Sequence, residues 1–122
     1  MNQRPRRTAL QRLQDISDAI ARIELYTGGK SYADFVADLM LRDSVERNIE
    51  RLSEASRHLP TTLTEGESEI PWRAIADIGN VFRHAYDDVN AEMIWRVVVR
   101  DLGPLKIAIQ NMIDRTDRPK TK

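Results

Sequence analysis

The sequence predicts an all-α protein, an antiparallel bundle of four to five helices in one domain spanning residues 1–122, with polar frayed tails at about 1–7 and 114–122. Three observations lead there. Apolar residues recur at spacings of three and four, the helix period, in each main segment. The breaks between segments are short enough to make consecutive helices antiparallel neighbours. Glycine and proline number five each, few enough to leave long uninterrupted stretches, and no stretch alternates as a useful strand would.

The first helix is read from Thr8 to Leu25, with Leu10, Leu13, Ile16, Ile20 and Ile23 on one face and Thr8 as its cap. Gly28-Gly29 ends it, because paired glycines favour a left-handed exit. Ser31 caps the next segment, whose apolar stripe begins with Tyr32, Phe35, Leu39 and Met40 and continues through Val45, Ile49, Leu52 and Leu59. This segment is either one helix of nearly thirty residues or two with a bend near Leu39 to Arg42. Pro60 stops it, and the stretch 61–69 reads as a polar linker and a main break.

Pro71 then occupies the first helical position. A third helix covers Trp72 to about Tyr86, with Ile75, Ile78 and Phe82 inward and Gly79 in its middle. Asp87-Asp88-Val89-Asn90 reads as a turn in which Asn90 caps the last helix. That helix carries Ile94, Trp95, Val98, Leu102, Leu105, Ile109 and Met112, and Pro104 should bend it. More than two-thirds of the residues are expected in helices.

Composition narrows the function. With 41% hydrophobic and 31% charged residues, the chain is globular rather than disordered. Cysteine is absent, which excludes disulfides, zinc ribbons, iron–sulfur clusters and thiolate nucleophiles. The basic start, MNQRPRRTAL, is followed by no apolar run, so a secretion signal is not expected. No stretch is long and apolar enough to span a membrane, and a cytoplasmic location is expected. Nineteen basic and nineteen acidic side chains cancel, so no global charge draws the protein to nucleic acid.

The standard chemical motifs are missing: there is no phosphate-binding Gly-rich loop, no HExxH and no calcium loop. His58 and His84 fall in different segments, and no metal or cofactor is expected. Glu46, Glu50 and Glu54 recur every four residues, but Arg47, Arg51 and Arg57 interleave with them, the pattern of a salt-bridged face. The segment from Ile78 to Val89 differs. Arg83, His84 and Tyr86 cluster at a helix end beside Asp87 and Asp88. Histidine titrates where proton transfer near neutral pH needs it, and arginine offers a charged fork that matches phosphate. Together they suit a phosphodiester.

The residues Asp43, Val45, Arg47, Ile49, Leu52, Glu54 and Ala55 are followed by Pro71-Trp72, then Asn80, His84 and Tyr86, then Asp88, Val89 and Trp95. From about Leu13 to Ile113 this series resembles the HepT-like family of the HEPN superfamily. The resemblance implies a HEPN-like helical fold and a homodimer with its site at the subunit interface. It implies a metal-independent endoribonuclease acting on RNA, the toxin of a HepT/MntA-type toxin–antitoxin pair. The partner would be a minimal nucleotidyltransferase antitoxin that transfers AMP to Tyr86. The carried-over catalytic residues are His84 as acid or base and Asn80 as an orienting group.

The family's motif arginine falls at Gly79. Two readings stay open. Arg83, one turn along the same helix, supplies the missing guanidinium to the catalytic set. Alternatively, the protein is a catalytically degenerate member that binds a nucleotidyltransferase partner or a nucleotide.

Overall fold

The structure, a computed structural model, describes residues 7–83 and 87–117, with the side chains of residues 83 and 87–89 not described. All regular structure among the described residues is helical, and it takes up well over two-thirds of them. The helices are α1 (Ala9–Thr27), α2 (Tyr32–Ala37), α3 (Leu39–Arg57), α4 (Thr61–Thr64), α5 (Trp72–Arg83), α6 (Asp87–Arg96) and α7 (Leu102–Thr116). A 3-10 turn covers Glu65–Glu67, and a π-helical turn over Val97–Asp101 joins α6 to α7.

The helices begin where side chains satisfy the free amides of a first turn. Thr8 accepts from the Gln11 amide while the Gln11 side chain accepts from the Thr8 amide, at 3.0 and 2.8 Å. Ser31 and Asp34 make the same reciprocal pair at the start of α2. α1 ends at the glycine pair as expected: Gly28 donates back to the Glu24 carbonyl, and Gly29 takes the left-handed conformation at φ 75°.

α3 is the central helix. α1 packs along one flank and α5 along the other, while α7 closes against α1. Leu13, Ile16, Ile20 and Ile23 of α1, Leu41, Val45, Ile49 and Leu52 of α3, and Leu105, Ile109 and Met112 of α7 form the core. Each such aliphatic side chain contributes about 1.5–3 kcal/mol on burial. Phe35 and Trp95, with ring centroids 5.1 Å apart, tie α2 to α6.

Several expectations are corrected. Of the two readings open for the segment from Tyr32, two helices is the observed one, with the break at Asp38, just before Leu39, because Asp38 leaves helical geometry (φ −114°, ψ 97°) and its carboxylate accepts from the Leu41 amide, capping α3. That break turns α3 about its axis, so Leu39 and Met40 are 66% and 81% exposed and do not continue the stripe. The stretch 61–69 is no plain linker. It holds α4 and the 3-10 turn, and it is pinned from inside by Glu67, 5% exposed. The Glu67 carboxylate accepts from Arg115 at 2.7 Å, and its backbone carbonyl accepts from the Trp72 indole at 3.0 Å. α5 starts at Trp72, with Pro71 just outside it.

Asp87 to Asn90 is helical, so Asn90 lies within α6 and is not a cap. The last helix is also longer than expected: α7 runs to Thr116, because Asp114 continues its turn and accepts from Gln110. Pro104 has no amide to offer the Arg100 carbonyl. The chain absorbs this just before the proline, where the Leu102 amide reaches the Val97 carbonyl in a widened turn. No helix among the described residues is long and apolar enough to cross a membrane.

The Asp38 break can be tested directly. Asp38→Ala removes the cap of α3 and should lower stability by about 1 kcal/mol, read as a reduced midpoint in urea unfolding with unchanged slope.

Candidate active site

Of the candidate catalytic residues, Asn80 and the backbone of Arg83 lie at the carboxyl end of α5, while His84 and Tyr86 fall outside the described residues. α5 is placed from three sides. Its start is held by the Trp72 indole on Glu67. Ile75 and Phe82 are buried in the core. In its middle the Ser53 hydroxyl of α3 donates to the Ala76 carbonyl at 3.1 Å, and Arg57 donates to the same carbonyl at 2.6 Å. These bonds lock the level of α5 along α3, and they run antiparallel: residues late in α3 meet residues early in α5.

Gly79 lies one turn beyond that lock. A Cβ at Gly79 would meet only the Ser53 hydroxyl, at 4.0 Å, which is ordinary contact. The backbones are close here because α3 presents small side chains, and Gly79 is not forced by sterics. The loss of the motif arginine is therefore no packing requirement. Asn80 is exposed, and its amide donates to the Asp77 carboxylate one turn back at 3.4 Å. Successive helical residues are rotated by about 100°, which puts position 83 between the rows of Gly79 and Asn80, one turn on. Of the sequence-derived site, the structure places Asn80 and the backbone of Arg83 at one helix end. The side chain of Arg83, and His84 and Tyr86 altogether, lie outside the described residues.

Beyond residues 84–86, α6 is fixed by the packing of Trp95 against Phe35 and, at 6.2 Å, Tyr32. Asn90 is half-buried in its first turns, with a side-chain oxygen that has no hydrogen-bond partner.

A second polar cluster sits near the end of α3. Glu54 accepts from Arg57 and meets His58 Nε2 at 2.9 Å. The His58 hydrogen bond holds the Glu54 carboxyl below its ordinary value; burial opposes this, and the charges of Arg57, His58 and Arg12 add to it. Glu54 and His58 are four apart, a spacing that places the two on one helix face, so the pair is legible in sequence. Glu67, the anchor of α5, was not legible, because nothing in a polar stretch marks one carboxylate for burial. No cluster of metal-ligating side chains exists among the described residues.

The model of the family described as "Ribonuclease HepT-like" matches residues 16–112. The chain belongs to this family. Among relatives, a Methanocaldococcus jannaschii protein named "Gamma-glutamylcyclotransferase and putative RNase" is 33% identical over 108 residues, 88% of this chain but 49% of the relative. The chain thus spans about half the length of that protein. The "Probable ribonuclease HepT" of Thermococcus cleftensis is 35% identical, covering 77% of this chain and 86% of the relative. A protein of Caldanaerobacter subterraneus named "Putative RNase" is 29% identical, with 84% and 88% covered. No solved structure matches the chain. The helical architecture and the Pro71-Trp72 start of α5 agree with membership of the HepT-like family.

Two outcomes are expected here. Gly79→Ala, open to a methyl and inside a helix, should stabilise the protein by about 1 kcal/mol in chemical denaturation. Because the Glu54 carboxyl is lowered in the folded state, its contribution is complete above its ordinary value of 4.5 and is lost as the pH falls through the lowered value. The difference in Tm between the wild type and Glu54→Gln should therefore shrink on acidification below that value.

Proposed function

We propose that this HepT-like chain is a metal-independent endoribonuclease and the toxin of a pair whose antitoxin is a minimal nucleotidyltransferase, both acting in the cytoplasm. The family match over residues 16–112, which spans the whole of α5 and its link to α6, carries the reading. The relatives named as ribonucleases support it.

In this mechanism the ribose 2′-OH attacks the adjacent phosphorus. His84 takes the 2′-OH proton as general base. The bond to the 5′-oxygen breaks, and that oxygen receives a proton from the protonated His84 of a second subunit. The products are a 2′,3′-cyclic phosphate and a free 5′-OH, and both protons are accounted for. Arg83 stabilises charge on the pentacoordinate phosphorus, and Asn80 orients a phosphate oxygen. The nucleophile belongs to the substrate, which restricts cleavage to RNA and leaves no step that needs a metal to generate hydroxide. A homodimer brings the two copies of His84 to one cleft. Transfer of AMP to Tyr86 by the antitoxin would add a phosphodiester that pairs with the nearby guanidinium and a nucleoside that fills the RNA path.

One observation favours a second reading. Glycine stands where the motif arginine is expected, and the space above Ser53 shows that no steric demand put it there. On this reading the chain is a catalytically degenerate partner-binding module.

Cleavage of single-stranded RNA in chelator decides between them. The wild type should leave 2′,3′-cyclic ends, and His84→Ala should slow cleavage by about 10²–10⁴-fold. Arg83→Ala should abolish it, with Arg83→Lys retaining little, since lysine lacks the bidentate fork. An inactive wild type that gains cleavage on Gly79→Arg would establish the degenerate reading instead. Co-expression with an adjacent nucleotidyltransferase should add mass in AMP units, and Tyr86→Phe should remove the increment.

A further inference from the structure

The flank of α3 away from α5 carries a second polar pocket, lined by Arg22 and Tyr26 of α1 and by Asp43, Ser44, Arg47, Asn48 and Arg51 of α3. Arg22 and Tyr26 are four residues apart on α1, and Arg47 and Arg51 are four apart on α3. Each pair therefore stands on one helix face, and the two faces border one groove. Among the described residues Arg22, Arg47 and Arg51 have no ion pair and no side-chain hydrogen bond. Along the continuing groove Arg7 pairs with Asp15 at 2.8 Å and Glu54 with Arg57 and His58, while Arg12, Asp18 and Glu50 line it beside the same three arginines without an ion pair among the described residues. Three guanidinium groups share the pocket with one carboxylate, in a chain whose formal charge is zero. Like charges four apart on a helix cost stability. The guanidinium donors of Arg22, Arg47 and Arg51 are thus open to an anionic ligand.

The remaining lining says what kind of anion. Tyr26 is partly exposed and offers an aromatic face. Asn48 is 4% exposed, its amide donates to the Ser44 carbonyl at 2.9 Å, and its Oδ1 has no hydrogen-bond partner. A ring and three fork-shaped cations are the parts of a single-stranded nucleic-acid site: phosphates on the guanidinium groups and a base stacked on the ring, with the Asn48 Oδ1 buried beneath and out of a ligand's reach. An acidic protein surface would use the cations alone.

We propose that the Arg22–Arg47–Arg51 pocket binds backbone phosphates of single-stranded RNA, with a base stacked on Tyr26. The inference rests on the ribonuclease reading in that this strand is the substrate, held away from the bond that is cut. Position supports it. No residue of α5 or α6 lines the pocket, so it is separate from the catalytic segment. Because α5 runs antiparallel to α3 from the Ser53–Ala76 bond, the catalytic end of α5 lies level with the half of α3 that bears Ser44 and Arg47. A strand crossing α3 would join the two.

The test uses the full chain carrying His84→Ala, so that the probe survives, and a fluorescein-labelled single-stranded RNA of about twelve nucleotides, long enough for one groove. Anisotropy is read across a salt series. The triple variant Arg22→Gln, Arg47→Gln, Arg51→Gln should weaken binding by about tenfold or more near 0.1 M salt, and the slope of log K against log salt should fall by about 2, as three lost phosphate contacts require. Tyr26→Ala should weaken binding without changing the slope. Arg100→Gln, an exposed guanidinium paired with Asp101, should change neither. Circular dichroism and sedimentation accompany each variant. Unchanged affinity and slope in the triple variant, or no RNA binding by the parent, overturns the proposal. So does a triple variant that keeps its RNA affinity while its sedimenting mass falls, which would make the groove an interface between copies. Arginine-dependent binding by a protein whose wild type never cleaves RNA would uphold this site and remove the nuclease reading. Cleavage with arginine-independent binding would do the reverse.

Discussion

The structure depends on α3 being buried along two flanks at once. One flank is aliphatic, with Leu41, Val45, Ile49 and Leu52 packed in the core with α1. The other is made of small side chains, Ser53 and Ser56, against which α5 settles. Small residues let two helix backbones approach, but buried hydroxyls then need partners. Ser56 returns its proton to the Ser53 carbonyl of its own helix. Ser53 donates instead to Ala76 of α5. That bond fixes the level at which α5 lies along α3, and so fixes where Asn80 and the backbone of Arg83 arrive.

Around this axis, polar anchors and not further apolar burial decide where the connecting segments go. Glu67 is a carboxylate taken almost wholly out of water. Arg115, and more distantly Asn111, supply its partners from α7. A buried carboxylate left without its cation would be strongly destabilising, so the end of α7 and the start of α5 are held to the same point. Gly66 beside it leaves room for the guanidinium, since a Cβ there would lie 2.9 Å from Arg115 Nη2. The carboxyl end of α5, with Asn80, is thus positioned by a charge pair well away from it.

Electrostatics follow the same logic of placement. The balance of nineteen basic and nineteen acidic residues gives no field to steer RNA over a distance. Pairing is uneven instead. Asp15 and Glu54 are matched by Arg7, Arg57 and His58, while Arg22, Arg47 and Arg51, with Asp18 and Glu50 near them, have no ion pair among the described residues. Within the pocket of Arg22, Arg47 and Arg51 three guanidinium groups face one carboxylate, Asp43, although the chain is neutral.

The sequence by itself determined the helices, most of their ends and the family resemblance that names the candidate residues. Those features are local: a 3.6-residue period, a Thr8 or Ser31 cap, a Gly29 exit and a short Asn80 to Tyr86 motif all lie within a few residues of chain. Period alone misplaced Leu39 and Met40, because a single capping aspartate, Asp38, resets the helix phase without interrupting the hydrophobic pattern. It also turned Asp87 to Asn90 into a loop, since acidic residues suit a turn and a first helical turn equally well. What only the tertiary structure decided are relations between distant residues. Ser53 with Ala76, Glu67 with Arg115, and Arg22 with Arg47 are separated by 23, 48 and 25 positions in the chain. No local pattern encodes them, because each exists only when α1, α5 and α7 have packed around α3 and the core has chosen which faces meet.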